Sequence, residues 1–78
     1  MSSRRIKVVR LRQHQLLVQM HWLERDMFEI TVADEVAIIR TSIIYADSFR
    51  SSRTKFTSWI HTNYPEVYHE ERTVAIPS

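Results

Sequence analysis

The chain contains no glycine and no cysteine, and these two absences exclude more than any motif identifies. Without cysteine there is no disulfide, no thiolate zinc site and no iron–sulfur cluster. Without glycine there is no P-loop, no dinucleotide-binding fingerprint and no strained nucleophile elbow, since each needs a backbone free of a Cβ. Tight hairpins are constrained as well. Primed turns want positive φ from Gly, Asn or Asp, and the single asparagine is Asn63. Hairpins are therefore expected to use aspartate or a longer loop built on type I geometry.

Long apolar runs are also missing. Stretches such as Leu16-Leu17-Val18 fall far short of the ~20 residues needed to span a bilayer. No apolar segment follows Arg4, Arg5 and Lys7 closely enough to make a signal peptide. The expected location is the cytoplasm, of a cell or of a viral host, with no membrane partner. Seventy-eight residues form one small domain, 1–78, which buries only about 60% of its unfolded surface. With no staple to stabilise it, such a chain is expected to form a homodimer.

Net charge is only +2, but it is segregated. Residues 1–23 carry Arg4, Arg5, Lys7, Arg10 and Arg12 and no acid. Residues 24–47 hold six acids against Arg25 and Arg40, and residues 48–63 hold Arg50, Arg53 and Lys55 without an acid. Residues 66–72 return to net negative charge through Glu66, Glu70 and Glu71. Such blocks create a basic face on one molecule, or neutralise one another across the fold.

Hydrophobic spacing predicts an α+β chain. In "LLVQMHW", Leu16, Val18, Met20 and Trp22 alternate with Gln19 and His21, the period of a half-buried strand. "MFEITV" alternates more cleanly, so the two are expected to pair as a hairpin. "RRIKVVRLR" reads as a preceding edge strand, its cations opposing edge-to-edge aggregation. The segment 32–46 carries two signals. Its β-branched residues favour a strand after an Asp34–Glu35 turn, while Val32, Val36, Ile39 and Ile43 also make a helical stripe. The strand is preferred. The helical reading would approach a ribbon-helix-helix or helix-turn-helix arrangement, but no motif residues assign either family. Residues 48–63 form the best helix, capped by Asp47 or Ser48 and ended by Pro65, with Phe49, Phe56, Trp59 and Ile60 on one side. The expected architecture is an antiparallel β-meander of three to four strands under one amphipathic helix, with "TVAI" (73–76) as a further short strand or clasp.

The chemistry follows from the same inventory. Arg50 and Arg53 share a helical face with Lys55 to one side, and Ser51, Ser52 and Thr54 add neutral donors to phosphate. Arg4, Arg5, Lys7, Arg10 and Arg12 form the second basic set, the first two as an N-terminal arm reaching a nucleic-acid groove. Together these eight cations are the candidate nucleic-acid contacts. Tyr64 and Tyr68 are candidate protein contacts, because tyrosine is favoured at interfaces. Four histidines match no metal-ligand spacing. No cofactor is expected, and no catalytic constellation emerges. The chain reads as a small non-enzymatic regulatory or accessory protein that contacts nucleic acid or a nucleoprotein. The alternative is an inhibitor or adaptor acting through a strand edge and exposed aromatics.

Overall fold

The two-residue turn Arg25–Asp26 joins the strands that hold most of the core, and it does so without glycine. A computed structural model describes residues 4–65. Four strands, β1 (Arg4–Leu11), β2 (Leu16–Glu24), β3 (Met27–Ala33) and β4 (Ile38–Tyr45), precede one helix, α1 (Phe49–Asn63). The strands form one antiparallel sheet in the order β1-β2-β3-β4. The segment 32–46 is thus strand where its β-branched residues lie, and the helical alternative is excluded. The residues 73–76 and Tyr68 lie outside the described residues.

Directly opposed residues of an antiparallel sheet share a face, so the register sorts every side chain. One face carries the rows Arg4–Trp22–Phe28–Ile44, Lys7–Met20–Ile30–Ser42 and Val9–Val18–Val32–Arg40. The other carries Arg5–His21–Glu29–Ile43 and Val8–Gln19–Thr31–Thr41. The first face is the core. Met20, Ile30, Val18 and Val32 are fully buried there with Phe56 and Ile60 of α1. Among the described residues the second has no helix over it, and it is polar at its centre.

The loops show how the chain does without glycine. Gln15 (φ 55°) and Arg25 (φ 49°) adopt the left-handed region, which costs a non-glycine residue roughly 1–2 kcal/mol. The β2–β3 hairpin therefore departs from expectation: the positive φ falls on Arg25, beside Asp26, rather than on the aspartate. The Trp22 indole N–H donates to the Arg25 carbonyl at 2.9 Å and braces that turn. Between β3 and β4, the Asp34 carboxylate accepts the backbone N–H groups of Val36 (2.8 Å) and Ala37 (3.0 Å). These bonds, that from Ala37 foremost and then that from Val36, hold the Asp34 carboxyl below its ordinary value of 3.8.

Ser48, not Asp47, caps α1. Its extended backbone lets Oγ accept the Ser51 N–H at 3.0 Å. The one polar side chain buried on the helix, Ser52, donates to the Phe49 carbonyl at 2.7 Å, so its burial leaves no unpaired hydroxyl. The helix ends at Tyr64, whose N–H donates to the Ile60 carbonyl at 2.7 Å just before Pro65.

Two tests follow. Phe56 is fully buried, so Phe56→Ala should cost about 3–5 kcal/mol in urea unfolding. A total stability of roughly 4–12 kcal/mol is expected at this chain length, so the variant should lose about a quarter of it or more and unfold at lower urea. A loss under about 1 kcal/mol would mean that α1 is not seated on the sheet. The Asp34 bonds stabilise the fold in the ionised form. Their contribution is complete above 3.8 and is lost as pH falls through the lower folded-state value. The stability advantage of wild type over Asp34→Asn should therefore be constant near neutrality and disappear in acid. An advantage independent of pH would contradict the assignment.

Candidate nucleic-acid interface

Each helical residue advances about 100°, so once Phe56 faces the sheet, Thr57 and Lys55 must leave the helix on opposite flanks. Two contacts identify the flanks. The Lys7 ammonium donates to Thr57 Oγ1 at 3.4 Å, which fixes the Thr57 side over β1. The Lys55 ammonium donates to the Tyr45 carbonyl at 2.6 Å, which fixes its side over β4. The Arg40 guanidinium, 5.4 Å from the Trp59 ring centroid, lies on that same β4 flank.

Arg50 and Arg53 stand two turns and one turn before Thr57, and so share its flank. Both are exposed. Arg4 and Lys7 head the helix-face rows on β1, and the Arg4 guanidinium lies 5.5 Å from the centroid of Phe49 at the start of α1. The flank between β1 and α1 thus collects Arg4, Lys7, Arg50 and Arg53 from the two basic sequence blocks. Neither β1 nor α1 contains an acidic residue. The Lys7–Thr57 bond does not itself neutralise Lys7, because the hydroxyl carries no charge. Thr57, and His61 one turn beyond it, also belong to this flank. Sequence reasoning overlooked them because their position follows from the helix azimuth rather than from charge.

The other predicted cations are placed elsewhere. Arg5 and Arg10 lie on the open face of the sheet, where Arg5 reaches Gln19 Oε1 at 3.5 Å. Arg12 lies in the 3-10 turn Arg12–His14. Lys55 lines a shallow recess with Asp26 and Asp47 on the β4 side, surroundings that repel an anion. Arg4 and Arg5 do not form a free arm either: they pair with Trp22 and His21 as the first residues of β1. The alternation of β1, with its register slip between Arg5 and Lys7, sends neighbouring cations to opposite faces.

Tyr64 is corrected as well. Expected to be an exposed contact residue, it is half-buried against the core, edge-on to His14 at 5.6 Å and tilted against Trp59 at 6.3 Å. Ending the helix before Pro65 turns this ring inward. Exposed apolar surface gathers instead at β4 and the loop before it: Val36 (90% exposed), Ile38 (61%), Ile39 (55%), Ile43 (44%) and Tyr45 (56%).

Among the described residues no three His, Asp or Glu side chains are grouped so as to hold a metal ion, and no helix is long and apolar enough to cross a membrane. Compared with protein-family models, with curated proteins and with solved structures, the chain matches none.

Proposed function

We propose that the chain is a small non-enzymatic regulatory or accessory protein that contacts nucleic acid, or a nucleoprotein, through the flank between β1 and α1. The observation that carries this reading is the meeting of two basic blocks, distant in sequence, on one flank whose two elements, β1 and α1, hold no acid. Arg4 and Lys7 supply one side and Arg50 and Arg53 the other. Four cations in such an arrangement suit a phosphate backbone, which they would neutralise with release of condensed counterions. Thr57, whose hydroxyl accepts from Lys7 and keeps its own proton, adds a neutral donor of the kind that contacts phosphate oxygens. Such contacts position a protein on a backbone without reading its sequence. The cytoplasm of a cell or viral host remains the proposed compartment. A second reading, a protein-binding module acting through a strand edge, draws support from the apolar surface at β4.

Salt dependence separates true phosphate contacts from bystanders. Replacing Arg50 and Arg53 by Gln should weaken binding to DNA or RNA at moderate salt, and each lost contact should flatten the log–log salt slope by roughly 0.7–0.9. Arg4→Gln and Lys7→Gln should act in the same direction, whereas Lys55→Gln should change nothing. Absence of binding at low salt, or equal loss from Lys55→Gln and the Arg50/Arg53 pair, would overturn the proposal.

A further inference from the structure

The sheet has two edges, and they are opposite in character. β1 carries Arg4, Arg5, Lys7 and Arg10, with a slip in its register. Charge of this kind blunts an edge against further pairing; irregularity does not separate the two edges, because β4 has its own register slip at Ile38–Arg40. β4 has eight residues and only one charge, Arg40, whose guanidinium is held over Trp59 on the helix face. Among the described residues no strand pairs with its outer side. Its backbone groups and its isoleucines are thus presented together, and a partner strand would satisfy both.

The sequence of β4 identifies the partner. Residues 38–44 read Ile-Ile-Arg-Thr-Ser-Ile-Ile, a near-palindrome about Thr41. An antiparallel strand runs the other way, so a palindrome opposes like to like only when it pairs with itself. We propose that the outer edge of β4 docks a second copy of this chain, the two β4 strands running antiparallel about a two-fold axis at Thr41. Thr41 then faces its own counterpart, and Ile39 faces Ile43 of the other copy, twice over. Arg40 faces Ser42, a hydroxyl acceptor rather than a like charge. Threonine pairs and β-branched apolar pairs are the cross-strand combinations that stabilise sheets. Thr41 and Ile43 share the open face, paired to Thr31 and Glu29, while Ile39 is the extra residue at the slip between Ile38 and Arg40, so its pair with Ile43 closes the margin of the interface rather than its centre. The pairing is isologous and closes at two copies, whereas β4 on the β1 edge of the next molecule would build an open chain. This interface lies at the far side of the sheet from the β1–α1 flank and does not depend on the nucleic-acid reading.

The interface is modest. A strand of eight residues is about 26 Å long, and one added strand buries less than the ~800 Å² per partner of a standard interface. The dimer should therefore be weak, with association visible up to about 100 μM. The chain has no cysteine, so a single introduced thiol reports on register. Opposed Cα atoms lie about 4.5–5.5 Å apart, within disulfide range. Full-length Thr41→Cys should form a disulfide-linked dimer on mild oxidation. Ile43→Cys should not, because its own copy is four residues out of register. Wild type should sediment toward twice the chain mass as concentration rises, and Ile43→Lys should remain monomeric with an unchanged circular dichroism spectrum. The proposal is overturned by a wild-type monomer throughout, as when another segment or another protein covers this edge. It is equally overturned by an open series of larger species, or by cross-linking that does not distinguish the two cysteine positions.

Discussion

The azimuth of α1 is the constraint on which the remaining arrangement depends. Phe56 and Ile60 are fully buried in the cluster that holds Val18, Met20, Ile30 and Val32, and a helix so anchored cannot rotate without exposing an aromatic ring. Each fully buried large side chain is worth about 1.5–3 kcal/mol against exposure, more than any surface contact on either flank. The anchor therefore decides where the charges go. Arg50, Arg53 and Thr57 must lie over β1, and Lys55 and Trp59 over β4. The Lys7–Thr57 and Lys55–Tyr45 bonds report that orientation rather than impose it.

With the helix in place, the sheet becomes a body with unlike edges. The β1 edge is cationic and continues into the basic flank of α1. The β4 edge is apolar and nearly neutral. This division follows from the order of the charge blocks along the chain, because a meander keeps neighbouring blocks adjacent and sends the first and last strands to opposite sides. The acidic residues of the middle block are left at the loops and on the open face. Asp34 closes the β3–β4 loop, Asp26 and Asp47 surround Lys55, and Glu29 lies in a row with His21 and Arg5.

The elements were legible where a single periodicity dominated. Val18 and Met20 alternating with Gln19 and His21 specified β2, and Phe56 with Ile60 specified the buried stripe of α1. The segment 32–46 was ambiguous because its isoleucines satisfy both periods. The strand prevails there while leaving Ile38, Ile39 and Ile43 partly in water, a cost that no local pattern announces. The candidate site was legible only in part. Arg50, Arg53 and Lys55 are neighbours in sequence, but a helix divides them between flanks, and only the packed structure says which flank meets β1. Likewise, Arg4 and Lys7 reach the helix face together only because the register slips between Arg5 and Lys7. Tyr64 appeared exposed from its polar neighbours, whereas the helix end before Pro65 folds it against Trp59.

The central claim is that one flank, built from β1 and α1, meets the phosphate backbone. The most direct test is a titration of the isotope-labelled full chain with a short oligonucleotide, followed by backbone amide chemical shifts. The account predicts salt-sensitive shifts concentrated at residues 4–7 and at Arg50, Arg53 and Thr57, with β4 and the Lys55 side unmoved. Shifts concentrated on β4, on the open face of the sheet, or around Lys55 would contradict it.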